Sequence, residues 1–252
     1  MEDALVRSRM LYGKENLEKL SRAKVAIFGI GGVGGYAAEA LARCGIGFLI
    51  LVDHDQVALS NLNRQIVALH STLGRYKVDV MAERIKDIRP ETSVEVRRCF
   101  YLPETADQFD FSEYSYVIDA VDTVTAKLEI ILRAKESGVR VISSMGAGNK
   151  TDPSQFRVAD ITQTSVCRLA RVMRRECRKR GIQDLKVVYS LQKPLRPIPA
   201  EVPGEMAGDM ETAAPVRRKD TPGSTVFAPA AAGLLLARTV VEDLMNEVWN
   251  HL

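Results

Sequence analysis

Lys24-Val-Ala-Ile-Phe28, Gly29-Ile-Gly-Gly-Val-Gly-Gly35 and Tyr36-Ala-Ala-Glu-Ala-Leu-Ala-Arg-Cys44 follow one another without a break. The first piece is a compact apolar run stopped by glycines, which predicts a buried strand. The second is a turn, because consecutive glycines let the backbone reverse tightly where a side chain would obstruct it. The third carries the small-residue pattern of a packed helix over 36–44. Residues 47–52 then predict a second strand, ending at Asp53-His-Asp55. Strand, glycine turn, helix and strand within about thirty residues make a βαβ unit of the dinucleotide-binding type.

The same alternation continues outward. A helix is expected over 77–88, halted before Pro90, then strands over 93–99 and 114–120, a helix over 125–137 and a strand over 139–143. Repeated alternation predicts an α/β, Rossmann-like, mainly parallel sheet with helices on both faces. Past residue 150 the rhythm changes: strands over 156–161 and 186–190 flank an arginine-rich helix over 166–180. Residues 194–223 hold six of the ten prolines and are expected to be a mobile loop. An apolar-faced helix over 229–249 closes the chain. The expected organisation is one domain over 1–252: a helical lead (1–22), a nucleotide-binding core (23–150) and an extension for substrate binding and dimerisation (151–252).

Composition narrows the class. The 252 residues are 46% hydrophobic and 27% charged, with net charge +3, an ordinary globular balance. Four cysteines, Cys44, Cys99, Cys167 and Cys177, form no CxxC pair, so neither a zinc knuckle nor a disulfide framework is expected and a reducing cytoplasm suits them. Residues 1–20 lack the apolar centre of a signal peptide. The longest apolar stretch, 226–237, ends at Arg238 and is too short to span a bilayer.

Each motif has a chemical and a structural reading. Gly29, Gly31, Gly32 and Gly34 bring backbone N–H groups within reach of phosphate oxygens, aided by the helix N-terminus behind them; the same glycines also suit an unliganded tight turn. Asp53 and Asp55 both stand where a ribose hydroxyl meets a carboxylate, and on that evidence NAD would be the default ligand. Ser60-Asn-Leu-Asn-Arg-Gln65 and Gly74-Arg-Tyr-Lys-Val78 argue otherwise. Hydride transfer has no use for Arg64 and Lys77 at that place, whereas a triphosphate needs cations as pyrophosphate departs. Asn61 can hold a phosphate or the attacked carboxylate through its amide. Asp119 and Asp122 close the next strand; Asp122 is read as a Mg²⁺ ligand, with helix capping as its alternative, and Asp119 as structural.

Taken together, GIGGVGG, VDHD, SNLNRQ, GRYKV and DAVDT resemble the adenylating domain of the ubiquitin-activating superfamily, the ThiF/MoeB-like proteins. The resemblance covers residues 24–144. It implies ATP and Mg²⁺ as cofactors and an acyl-adenylate as product of the first step. It further implies phosphate contacts around Gly32, ribose contact at Asp55, adenylation by Asn61, Arg64 and Lys77, and metal binding at Asp122. An N-terminal arginine, Arg7 or Arg9, would serve the site of a second subunit in a homodimer.

The second half, from Ser143-Ser-Met-Gly-Ala-Gly-Asn-Lys-Thr-Asp-Pro153 through the basic helix, resembles the tRNA threonylcarbamoyladenosine dehydratases, departing from their pattern at Cys167-Arg168. That branch implies ATP-dependent cyclisation of the hypermodified adenosine beside a tRNA anticodon, in the cytoplasm, with peripheral membrane association left open. It implies tRNA and no DNA as partner, no zinc, and leaves open a monovalent cation (K⁺ or Na⁺) and a sulfur-relay partner such as a cysteine desulfurase. Independently, Arg168, Arg171, Arg175 and Arg178 recur at helical spacing beside Arg174, Lys179 and Arg180, with Glu176 the single opposing charge. Arg171, Arg174, Arg175 and Arg178 are the expected phosphate contacts, a solvated helix face being the plainer reading. Two rival functions are adenylation of a ubiquitin-like sulfur carrier's C-terminus and non-catalytic NAD binding.

Overall fold

The computed structural model describes residues 4–198 and 222–246. Along the chain run α1 (Val6–Arg22), β1 (Lys24–Phe28), α2 (Gly34–Arg43), β2 (Phe48–Val52), α3 (Lys77–Ile88), β3 (Ser93–Arg97), β4 (Tyr116–Asp119), α4 (Val124–Glu136), β5 (Arg140–Ser144), β6 (Phe156–Asp160), α5 (Arg168–Lys179), β7 (Lys186–Ser190) and α6 (Phe227–Met245). The strands form one sheet in the order β3-β2-β1-β4-β5-β7-β6, all parallel except β6, which runs antiparallel to β7.

Alternation along the central strands sets two cores. Val25 and Ile27 of β1 pack with α1, α2, α3 and α6, while Ala26 and Phe28 face α4, α5 and the aromatics Tyr101, Phe109 and Phe111. All four β1 residues are fully buried, as expected of a strand covered on both faces. Each of the large ones contributes about 1.5–3 kcal/mol of transfer free energy.

Two glycines make the first turn possible. Gly29 has φ 91, in the left-handed region, and a Cβ on Gly34 would sit 1.8 Å from the Gly29 carbonyl oxygen. The turn therefore closes only without side chains there.

The expected elements are all present, with shifted ends. α2 begins at Gly34, two residues before expectation, because the last glycines of the cluster already have helical backbone. α5 begins at Arg168 because Val166 has φ 62 and Cys167 is extended at the N-cap. α6 begins before Pro229, whose missing N–H lies in the first turn, where no helical partner is lost. Residues 247–249 of the expected last helix and most of the proline-rich loop lie outside the described residues. Among the described residues no helix is long and apolar enough to cross a membrane.

Candidate active site

Strand order reverses between β1 and β4, so the connections after these two strands leave in opposite directions and open a crevice past their carboxyl ends. The glycine turn enters that crevice. It is fastened by Gly29 N–H donating to the Val52 carbonyl at 2.8 Å and Ile30 N–H donating to Asp53 Oδ2 at 2.6 Å. Asp53 Oδ1 accepts from Asp55 N–H at 2.8 Å. Each Asp53 oxygen thus accepts from the backbone and fastens the turn. Asp55 is exposed, with Oδ1 3.2 Å from His54 Nε2.

Asp55 Oδ2 accepts from Lys77 Nζ at 2.6 Å. Lys77 opens α3, and its side chain is only 6% exposed against 49% for Asp55. A buried ammonium held by a half-exposed carboxylate at the crevice is a cation that a more strongly charged anion can recruit. Arg64 is half-buried, with Nη1 donating to the Ser60 carbonyl at 2.8 Å and Asn63 Oδ1 at 3.0 Å. Burial pushes its guanidinium below the usual range. Its Cγ is 3.7 Å from where a Gly32 Cβ would project, so the arginine stem flanks the turn. Buried Asn61 uses Oδ1 to accept from Ala58 N–H at 3.1 Å, leaving Nδ2 to donate.

The two acids after β4 have separate fates. Asp119 is fully buried; Lys127 Nζ donates to it at 3.0 and 3.2 Å and Ser143 Oγ at 2.5 Å. Lys127 also donates to the Ser144 carbonyl at 2.7 Å, tying α4 to β4 and β5. Removing one member of such a buried pair costs about 3–5 kcal/mol. Asp122 is exposed, and among the described residues its Oδ1 accepts only from Thr123 Oγ1, at 3.3 Å. The N-cap of α4 is Thr123, so the capping alternative for Asp122 is not realised. Free oxygens on one carboxylate at the strand end fit Mg²⁺, which takes one or two carboxylates and completes its shell with phosphates and water. The only His/Cys/Asp/Glu cluster of metal-ligand spacing among the described residues, Asp53-His54-Asp55, fits less well, because the Ile30 and Asp55 N–H groups and Lys77 Nζ already donate to its carboxylates.

Three polar groups at or near the crevice went unassigned in the sequence. Gln65 is buried with Oε1 unpartnered, and its Nε2 is 4.0 Å from where a Gly31 Cβ would point. Thr225 Oγ1 is buried without a partner among the described residues. Asn149 grips Gly223 just ahead of α6. Gln65 ends SNLNRQ and Asn149 lies within the Ser143–Pro153 stretch, whereas nothing local marks Thr225.

On α5, Arg168, Arg171, Arg175 and Arg178 are exposed and share one face. Arg174 is half-buried instead: Nη1 donates to the Thr164 carbonyl at 2.7 Å and to Thr164 Oγ1, so it fastens the helix inward. Hydrogen bonds from Arg180 and Lys179 hold the Glu176 carboxyl at about 2, and Arg175 shares the same carboxylate. Arg168, Arg171 and Arg178 are left uncompensated among the described residues. A separate cavity of about 690 Å³ lies between β6 and α6, around the Lys186–Asp243 ion pair, and none of the expected site residues lines it.

The ThiF family model matches residues 5–247. The tRNA threonylcarbamoyladenosine dehydratase of Bacillus subtilis (strain 168) is 43% identical over 244 residues, 96% of this chain and 94% of that protein. The crystal structure of the Escherichia coli dehydratase in complex with ATP superposes with TM-score 0.81 at 32% identity, covering 95% of this chain and 92% of that one. Its complex with AMP gives 0.82 with the same coverage. By contrast, ubiquitin-like modifier-activating enzyme 5 of Xenopus laevis is 35% identical over 137 residues, 49% of this chain and 34% of that protein.

Proposed function

The chain belongs to the ThiF family, and from that membership we propose that it is an adenylate-forming tRNA threonylcarbamoyladenosine dehydratase. The observation that carries the reading is half-buried Arg64 flanking the glycine turn at the sheet's switch point, together with buried Lys77 held on Asp55 past the end of β2. Likeness to dehydratases along nearly the whole chain supports the choice of substrate over a ubiquitin-like carrier, and the cations support ATP over NAD.

In the first step a threonyl carboxylate oxygen attacks the α-phosphorus of ATP and pyrophosphate leaves. Asp55 takes the ribose hydroxyls, which frees Lys77 Nζ to turn to the phosphates. Arg64 and Lys77 offset the charge that grows on the leaving group, in a partly desolvated site where such compensation is strong. Asn61 Nδ2 donates to the attacking carboxylate or the α-phosphate. Asp122 would hold Mg²⁺, which supplies charge neutralisation on the phosphate oxygens. In the second step the ureido nitrogen of the same side chain attacks the activated carbonyl and AMP leaves. Nucleophile and electrophile share one small group, so proximity supplies much of this step.

The face formed by Arg168, Arg171, Arg175 and Arg178 receives tRNA phosphates. It spans about 15 Å along the helix, enough for two or three consecutive phosphates. Exposed Met10, Leu11, Phe227 and Leu234 support a homodimer. Free cysteines and an ATP- and tRNA-consuming reaction support a cytoplasmic setting. The test is incubation with ATP and tRNA bearing threonylcarbamoyladenosine, followed by nucleoside mass spectrometry. Loss of one water from the modified nucleoside, dependent on ATP, is the expected result; an unchanged nucleoside refutes the assignment.

A further inference from the structure

The chain leading into α6 is tethered beside the glycine turn at several separate points. Asn149 and Gly223 pair through two hydrogen bonds: Asn149 N–H donates to the Gly223 carbonyl at 2.7 Å, and Gly223 N–H donates to Asn149 Oδ1 at 2.7 Å. The Ser224 carbonyl accepts from Asn63 Nδ2 at 3.0 Å, next to Arg64. Pro229 then lies on the turn itself, its Cβ 3.2 Å from where a Gly32 Cβ would stand. Gly148 meets the same segment closely, since a Cβ there would be 2.8 Å from Pro222 Cβ.

Asn149 is the centre of this arrangement. Its carbonyl also accepts from Leu195 N–H at 2.8 Å, so its N–H, its carbonyl and its side-chain oxygen are all committed. It holds φ 58, a left-handed conformation that asparagine tolerates better than most residues. Within the tethered segment Thr225 Oγ1 is buried without a partner among the described residues, as suits a wall that receives a polar group.

We propose that Asn149 is a positioning residue for ring closure: by fixing 223–229 against the glycine turn it keeps water from the acyl-adenylate. The proposal rests on the dehydratase reading above. Two nucleophiles compete for the activated carbonyl. When the ureido nitrogen wins, a C–N bond forms, the carbonyl C–O bond to AMP breaks, AMP leaves with the electron pair and the nitrogen's proton passes to solvent. When water wins, a C–O bond forms, the same AMP leaves and the carboxylate is regenerated, so one ATP is lost without product. The walled segment decides the ratio because excluding water suppresses only the second course.

The experiment uses the full chain with ATP and threonylcarbamoyladenosine-bearing tRNA, reading AMP released per cyclic nucleoside formed and, separately, ATP–pyrophosphate exchange. The wild type is expected to release close to one AMP per ring. Asn149→Ala loses the Oδ1 anchor and raises the AMP released in excess of cyclic nucleoside about tenfold, the factor that loss of one well-placed hydrogen bond supports. Pyrophosphate exchange stays within about threefold of wild type, since Arg64 and Lys77 are untouched. Asn149→Asp keeps an acceptor oxygen and tolerates the same backbone, and it restores the ratio. Gly148→Ala, whose new methyl must displace Pro222, raises the ratio by an independent route and serves if Asn149→Ala does not fold. Folded variants with the wild-type ratio overturn the proposal alone. A wild-type chain that makes no cyclic nucleoside overturns the dehydratase reading and the proposal with it.

Discussion

Replacing Lys77 with methionine separates chemistry from folding more cleanly than any other single change in the crevice. A unit charge about 4 Å from a phosphate oxygen, at an effective dielectric of about 20, is worth about 4 kcal/mol. In the free protein Lys77 is not idle, however, because Asp55 holds it at 2.6 Å. Asp55 is half-exposed, so giving up that pair costs about 1 kcal/mol. The net loss on mutation is about 3 kcal/mol of transition-state stabilisation, or about 10²-fold in kcat/KM. Part of it enters KM, since ATP already carries the phosphates in the ground state. The fold hardly suffers: methionine refills the buried stem, Asp55 returns to water, and Tm falls by about 2–4 °C for a chain of this size. ATP–pyrophosphate exchange read beside a thermal melt decides the matter. A folded Lys77→Met protein exchanging within about threefold of wild type would refute the role given to this ammonium.

Asp122→Asn should shift the Mg²⁺ concentration for half-maximal exchange upward by about tenfold, because a neutral amide replaces an anionic ligand; an unmoved Mg²⁺ titration removes Asp122 from the metal site. Arg168→Glu, Arg171→Glu and Arg178→Glu together should weaken tRNA binding and flatten its salt dependence by about three released counterions, measured by titration at several ionic strengths. Arg174→Ala should leave tRNA affinity unchanged while lowering stability by about 1–2 kcal/mol, because its hydrogen bonds go to Thr164; the converse result would restore Arg174 to the phosphate face. Lys150 is buried, with one hydrogen bond to the Gly146 carbonyl at 2.7 Å, and desolvation lowers its ammonium below the ordinary lysine value despite nearby Cys167. The folded state therefore binds this proton less tightly than the unfolded chain, so stability rises as pH climbs from the folded value towards the unfolded one. Lys150→Met should abolish that alkaline rise in a pH series of denaturant melts; a rise of the same size in the variant would show that other groups produce it.

The sheet could be read from sequence because its information is local. β1 and β2 are five-residue runs bounded by turns, and α3 spans 77–88 as expected because Tyr76 is extended and Pro90 stops continuation. The glycine turn was legible for a similar reason: Gly34 lies five residues from the Gly29 carbonyl it must clear, so sequence spacing already encodes the clash. The arginine face was legible through helical periodicity alone. Periodicity does not separate Arg174 from that face, since it lies only about 40° around the helix from Arg178; what draws it inward is Thr164, which no helical pattern includes.

Groups that spend or save hydrogen bonds across the fold were not legible. Asp53 and Asp55 are two residues apart and chemically identical, yet Ile30 N–H takes one and Lys77 the other, a choice made only when the turn folds back on β2. Gln65, Thr225 and Asn149 likewise acquire meaning from segments distant in sequence. This division has a physical origin. Cations that attract a triphosphate must stay within its reach, and they sit on the chain that immediately follows the nucleotide strands, so a motif carries them. Water must be kept from a reactive carbonyl by covering it, and a cover has to come from elsewhere in the chain; here Pro229 reaches Gly32 across most of the sequence. A short motif thus announces that ATP is attacked, while the outcome of the activated carbonyl is held in long-range contacts.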